Sequence, residues 1–244
     1  MTKDKVVFVT GGSRRIGAYI AKYFHEKGFK IILHFNNSIE EAESLKKYFL
    51  SKRKDSCITI QADFSDQNSI DHATQKILER TETLDVLINN ASGFFSTPIK
   101  TATKEQWFNL LDTNTTVPLF LIKTFLPMLE TSKGCVINIS DSQVNSGISK
   151  FSLYAAAKSA LESLTKSLAR ELAPNIRVNA IAPGIILWPE TEDMDEKEKL
   201  EIINKTFLGR IGKPEDISAT AYMLYRSTYI TGQVIKVDGG RSKK

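Results

Sequence analysis

The stretch VVFVTGGSRRIGAYIAKYF (residues 6–24) opens with apolar residues suited to a strand, turns at Gly11 and Gly12, and continues with apolar residues at helical spacing. Glycines at such a turn let the main chain approach a pyrophosphate, and the amino terminus of the following helix offers unpaired N–H groups and a favourable dipole. A glycine pattern alone is a weak signal. Its place after a first strand and before an amphipathic helix, with Gly17 inside that helix, gives it weight. Arg15 occupies a position where such turns usually carry glycine.

Outward from this turn, strand-length apolar runs recur at Val6–Thr10, Lys30–Phe35, Cys57–Gln61, Val86–Asn89, Cys135–Ser140, Arg177–Ala180 and Val234–Val237. Amphipathic segments fill most of the intervals. The alternation predicts one α/β domain over residues 1–244, a Rossmann-like doubly wound parallel sheet of about seven strands with right-handed crossovers. The segment GIILWPETEDMDEKEKLEIINKT (residues 184–206) departs from it, being apolar, then acidic, then helical. A substrate flap at about 184–207 is one reading, and a surface excursion without a role is the other.

A chain of 244 residues with 41% hydrophobic and 25% charged residues is that of a soluble globular protein. No apolar run reaches the roughly 18 residues of a membrane span, and the first residues lead straight into a strand without a signal-peptide pattern. A cytoplasmic protein without membrane partners is expected. Cys57 and Cys135 lie in apolar runs and read as buried thiols, and His25, His34 and His72 are scattered without zinc-ligand spacing, so no metal site is expected. The formal charge of +5 comes from basic residues interleaved with acids, as in EEAESLKKYFLSKRKD (residues 40–55). That pattern describes a solvated surface rather than a nucleic-acid interface.

A nucleotide site that selects NAD usually carries an acid at the end of the second strand, for the adenosine ribose hydroxyls. Here LHFNNSIEE (residues 33–41) supplies Asn36, Asn37 and Ser38, with no carboxylate before Glu40. With Arg14 in the first turn, a 2′-phosphate meets no repulsion, so NADPH is the expected cofactor. Asp63, after the third strand, is placed either to accept from an adenine amino group or to start a helix.

The strongest local signal is YAAAK (residues 154–158). Tyr154 and Lys158 stand one helical turn apart on one face. A phenol is a poor acid near neutral pH, and a neighbouring ammonium is expected to favour the phenolate and help the pair deliver protons.

These marks, together with TGGSRRIG at the first turn, NNAS (residues 89–92), Asn114 and APG (residues 182–184), resemble the short-chain dehydrogenase/reductase family over nearly the whole chain. The resemblance implies NAD(P)-dependent hydride transfer with Tyr154 as acid, Lys158 bonding the nicotinamide ribose and tuning Tyr154, and Asn114 holding a water-linked proton route. It implies cofactor contacts from Gly11, Ser13, Arg14, Arg15, Ile16 and Gly17, and from His34 with Asn36, Asn37 and Ser38 at the second strand. Further contacts are implied for Asp63 and Phe64, for Asn90, Ala91 and Ser92, and for Pro183, Gly184 and Ile186. It also implies a homotetramer built on segments 115–129 and 152–173 and the last strand.

The family generally places a serine thirteen residues before the tyrosine; this chain has Asp141 there, between Ser140 and Ser142. A carboxylate repels the negative charge that develops on a carbonyl oxygen, whereas an acid beside a ring nitrogen assists reduction of a C=N bond. A shift of one residue would bring either serine into the place instead. Arg15, Asp141 and the run Ser92–Gly93–Phe94 together resemble the pteridine reductase branch of the family, as do LHFNNS, NNASGFFSTP and YITGQVIKVDGGRS (residues 229–242). That branch implies Phe94 stacking on a flat pterin or folate, Arg15 reaching cofactor phosphates and the pterin edge, and Ser92, Leu187 and Trp188 lining the substrate. The other reading of Phe94 is a loop-anchoring core residue. Two further functions remain open: a carbonyl reductase of the 3-oxoacyl type, which Asp141 disfavours, and a non-catalytic NADPH-binding regulator, which an intact Tyr154, Lys158 and Asn114 disfavour.

Overall fold

The computed structural model describes residues 4–188 and 195–243. Among them, seven strands form one parallel sheet: β1 (Val6–Val9), β2 (Lys30–Phe35), β3 (Cys57–Gln61), β4 (Val86–Asn89), β5 (Cys135–Ile139), β6 (Arg177–Pro183) and β7 (Val234–Val237), in the order β3-β2-β1-β4-β5-β6-β7. The helices are α1 (Arg15–Glu26), α2 (Ile39–Lys52), α3 (Gln67–Leu78), α4 (Lys104–Leu111), α5 (Val117–Ser132), α6 (Ser152–Glu171), α7 (Glu196–Asn204) and α8 (Pro214–Arg226). This is the doubly wound, Rossmann-like α/β fold.

Strands covered on both faces read as unbroken apolar runs rather than alternating ones. Every residue of β1, β4 and β5 is buried accordingly. One face of the sheet packs on Ile20 and Phe24 of α1, Phe49 of α2 and Leu224 of α8. The other packs on Ile77 of α3 and on Leu121, Phe125 and Leu129 of α5.

Three strand ends differ from the sequence expectation. β1 stops at Val9, because the Thr10 hydroxyl turns into the bonding of the loop after β4. β5 stops at Ile139, one residue before Ser140. β6 runs past Ala180 to Pro183, since β7 pairs with it as far as Pro183 opposite Val237. The proline donates nothing, but its carbonyl accepts from Ser142 N at 3.0 Å.

Strand order reverses between β1 and β4, and in open parallel sheets ligands bind outside the carboxyl ends of the strands at such a point. Gly11, Asn36, Asp63, Asn90, Asp141, Gly184 and Asp238 all stand within two residues of strand ends along this one edge. The two cysteines are free and buried, and burial pushes Cys57 up to about 12 and Cys135 up to about 11. Among the described residues no helix is long and apolar enough to cross a membrane.

The first turn sets a sharp steric limit. A Cβ on Gly17 would overlap the carbonyl oxygen of Gly11 and lie 2.6 Å from Asn90 Nδ2, whereas one on Gly147 would meet nothing within 4 Å. Gly17→Ala should therefore destabilise the fold by about 1–3 kcal/mol, the range of overpacking into backbone. Gly147→Ala carries only the strain of its positive φ, about 1–2 kcal/mol. Thermal melts of the two variants check this, with the larger fall in Tm expected for Gly17→Ala.

Candidate active site

The turn after β1 is braced from behind. Gly11 sits at φ +57°, a conformation glycine adopts freely. Its N–H donates to His34 Nδ1 at 3.0 Å, while His34 Nε2 bonds the Ala62 carbonyl at 3.1 Å. Those two bonds require a neutral ring with its hydrogen on Nε2. Burial enforces the same state by bringing His34 down to about 4, and Phe64 stacks on the ring at 3.9 Å and 2°. His34 and Phe64 thus act on the turn from below. Asn90 Nδ2 donates to the carbonyls of Thr10 and Gly11, each at 2.9 Å, and Thr10 Oγ1 accepts from Asn90 N and Ala91 N. With Gly17 pressed against Gly11 and Asn90, the main chain of the turn has no room for a side chain on that side.

Arg15 stands at φ +49°, which accounts for glycine being usual there. Its Nη2 donates to the carbonyls of Leu187 and Trp188 at 3.3 and 3.1 Å. The guanidinium therefore tethers the segment after β6, a connection across the site that sequence reading did not anticipate. Of the flap expected at 184–207, residues 189–194 lie outside the described residues.

At the end of β2, Asn36 and Asn37 are exposed, and Ser38 Oγ lies 2.6 Å from Ser13 Oγ, joining this strand end to the first turn. Arg14 Nε is 3.6 Å from Glu41 Oε1, with both side chains about half exposed. The arginine thus already faces one carboxylate, and an incoming phosphate would compete with it. Asp63 accepts from the backbone N–H of Ser65 and from its hydroxyl, which together hold its carboxyl below the ordinary value. Asp66, not Asp63, caps α3.

The buried face of α6 carries Tyr154, Lys158 and Glu162, which are 5%, 2% and 5% exposed. Tyr154 Oη donates to Asp141 Oδ2 at 3.2 Å, and Asp141 Oδ1 accepts from Gln143 N at 2.8 Å. The flanking serines face elsewhere. Ser140 Oγ donates to Glu162 Oε1 at 2.8 Å, and Ser142 Oγ is buried without a partner among the described residues. Glu162 escaped notice in the sequence, although its spacing of two further turns from Tyr154 was a visible signal.

Electrostatics here differ from the sequence expectation that Lys158 favours a phenolate. Burial raises the Tyr154 phenol well above its ordinary value, and the charge and hydrogen bond of Asp141 raise it further. Lys158 is itself brought down to about 8 by burial, against the opposing pull of Asp141, and its Nζ donates to the Ile139 carbonyl at 2.7 Å. Burial is the larger cause and the Asp141 carboxylate adds to it, so both favour the protonated phenol.

Asn114 lies in a π-helical turn, Asp112–Thr116, between α4 and α5 rather than in a regular helix. Such bulges are frequent at functional sites. Its Nδ2 bonds the carbonyls of Gly93 and Leu110 at 3.0 and 2.9 Å, and its Oδ1 accepts from Ser92 Oγ at 2.8 Å. Phe94 is 53% exposed, stacks on Phe151 at 4.6 Å and meets Tyr154 edge-on at 4.9 Å. A ring 53% exposed and edge-on to the Tyr154 phenol is no core anchor.

A family model described as enoyl-(acyl carrier protein) reductase matches residues 11–242. The chain is 36% identical over 242 residues to the 3-oxoacyl-[acyl-carrier-protein] reductase FabG of Chlamydia muridarum, covering 97% of each. It is 33% identical over 242 residues to the dihydromonapterin reductase of Enterobacter sp. (strain 638), covering 98% of this chain and 97% of that one. A blue fluorescent protein from a metagenomic library, solved in complex with NADPH, superposes with a TM-score of 0.89 at 30% identity over 97% of both chains.

If Asp141 holds the phenol protonated, Asp141→Asn should move phenolate formation at Tyr154 to lower pH, while burial keeps it above the free-tyrosine range. Ultraviolet titration against a Tyr154→Phe blank measures this. An unmoved transition would contradict the assignment of cause.

Proposed function

Because this chain belongs to the short-chain dehydrogenase/reductase family, whose members are nicotinamide-dependent oxidoreductases, we propose that it reduces the C=N bond of a dihydropterin or dihydrofolate to the tetrahydro form with NADPH. The observation that carries the reading is Asp141 Oδ2 accepting from Tyr154 Oη at 3.2 Å, where the common family arrangement offers a serine hydroxyl. A ketone oxygen becoming an alkoxide gains from two donors and is repelled by a carboxylate. An imine nitrogen needs one proton, and the donors along a pterin rim pair well with a carboxylate.

The residues present fit NADPH. Gly11 and Gly17 leave the main chain bare at the helix amino terminus, and no acid ends β2. Ser13, Arg14, Asn36, Asn37 and Ser38 would face the 2′-phosphate, and Pro183, Gly184 and Ile186 the nicotinamide end. When bound, the cofactor supplies the hydride. Lys158, with one N–H committed to Ile139, keeps two for ribose hydroxyls. Tyr154 holds its proton at Oη and delivers it to the substrate nitrogen, with Asp141, its hydrogen-bond partner, sharing in proton delivery. Phe94 offers its exposed ring to a flat substrate, and Arg15 fixes the segment carrying Leu187 and Trp188 beside it. Exposed Phe108 and Phe120 on α4 and α5 favour burial in a homotetramer.

Reduction of a 3-oxoacyl thioester is the second reading, favoured by the 36% identical FabG relative. Asp141→Ser separates them: under the pterin reading it depresses dihydropterin turnover by roughly 10²-fold, the scale of a positioned proton-transfer group, and leaves or improves acetoacetyl thioester turnover. Equal loss on both substrates, or no loss on the pterin, contradicts the proposal.

A further inference from the structure

Four consecutive residues at the end of β5 are each held by a different side chain of α6. Asn138 Nδ2 donates to Thr165 Oγ1 at 2.9 Å, and the Ile139 carbonyl accepts from Lys158 Nζ at 2.7 Å. Ser140 Oγ donates to Glu162 Oε1 at 2.8 Å, and Asp141 Oδ2 accepts from Tyr154 Oη at 3.2 Å. Positions 154, 158, 162 and 165 recur at helical spacing, so one buried stripe of α6 faces this one stretch of chain. Of its charged members, Glu162 is the one that the reaction above leaves without a use.

A glutamate is seldom so far buried, and taking a carboxylate out of water is costly unless its oxygens are bonded. Both are. Oε1 accepts from Ser140 and Oε2 from Asn145 Nδ2 at 3.4 Å, so the carboxylate bridges the two ends of the arc 140–145, and Asp141 lies between them. The main chain at the start of the arc is fixed on β6, with Ser140 N bonding the Ile181 carbonyl at 2.7 Å and Ser142 N the Pro183 carbonyl at 3.0 Å. Those bonds set where the arc begins. Among the described residues, the bonds that draw the arc toward α6 are the two to Glu162 and the one between Asp141 and Tyr154. An apolar pair in place of Ser140 and Glu162 is close to neutral for stability, so stability alone does not call for a carboxylate here.

We propose that Glu162 is a positioning residue of the active site: by holding Ser140 on one oxygen and Asn145 on the other, its carboxylate draws the loop after β5 onto α6 and keeps Asp141 within hydrogen-bonding reach of the Tyr154 hydroxyl. This rests on Asp141 and Tyr154 being the reacting pair. The bonds of Glu162 go to neither of them, and it acts through the loop.

The test reads the Tyr154 ring-carbon Cζ NMR signal of the substrate-free protein, identified by its loss in Tyr154→Phe, because Cζ senses the hydrogen bond at its own hydroxyl. Ser140→Ala breaks the clamp and leaves the charge of Glu162 in place; it should move the signal toward its position in Asp141→Ala. Glu162→Gln removes the charge and keeps the bonding, since a serine hydroxyl accepts as well as donates and the Asn145 amide can turn over, and should leave the signal near its original position. In turnover, Ser140→Ala should lower kcat by roughly 10–10²-fold, the scale of a small misplacement of a reacting group, with KM for NADPH little changed, and Glu162→Gln should keep most of the activity. Asn145→Ala, on the exposed side of the loop, leaves the bond to Ser140 in place and should move both readouts the same way by less. In the Asp141→Ala background, Ser140→Ala should lower kcat no further. An unmoved Cζ signal in Ser140→Ala and Asn145→Ala, a loss in Glu162→Gln as large as in Ser140→Ala, or an equal fall in kcat with and without Asp141 overturns the proposal. A displaced Cζ signal in Ser140→Ala beside a fully active Tyr154→Phe keeps the clamp and overturns the reaction assignment instead.

Discussion

A phenol, an ammonium and two carboxylates are gathered at the carboxyl end of β5, and each is tolerable in so little water only because neighbours complete its hydrogen bonds. Lys158 is satisfied by a strand carbonyl, Glu162 by Ser140 and Asn145, and Asp141 by Tyr154 and a loop N–H. Remove any one and a buried polar group is left unpaired, which costs more than the bond itself is worth. The loop after β5 is therefore bonded on both sides of its first turn. Ser140 is pinned to α6 on one side, and Asp141 is aimed at α6 on the other.

The same economy governs the nucleotide end. A main chain with no side chains on one surface must be held by groups beneath it. His34, Thr10 and Asn90 do this through His34 Nδ1 and Nε2, Thr10 Oγ1 and Asn90 Nδ2. Both ends of the site are bound together across the cleft by Arg15, whose unusual left-handed backbone sends its guanidinium to the carbonyls of Leu187 and Trp188.

Much of this was legible in the chain because the information is local. Val86–Asn89 and Val234–Val237 are short, largely apolar runs whose limits match the strands found, and helical spacing alone puts Tyr154 and Lys158 on one face. What was not legible depends on distant residues. Spacing shows that Lys158 is near Tyr154, but not that the Asp141 carboxylate accepts from the phenol and, together with burial, favours its protonated form. The β6 limit was missed because its extension depends on pairing with β7, more than fifty residues away in sequence. His34 reads as one residue of a strand, and only the fold reveals that its two nitrogens bridge the first turn and the end of β3. Asn114 was recognised by its motif, but the π-helical turn that orients it has no sequence signature of its own.

The central claim is that a carboxylate paired to the reacting phenol suits a ring nitrogen and not a carbonyl oxygen. The most direct measurement is kcat/KM of the unaltered protein for NADPH oxidation with a dihydropterin and with an acetoacetyl thioester. The account predicts a preference for the dihydropterin of roughly 10²-fold or more, equivalent to about 2.8 kcal/mol of differential transition-state binding. Efficient reduction of the thioester with no turnover of the dihydropterin would contradict it.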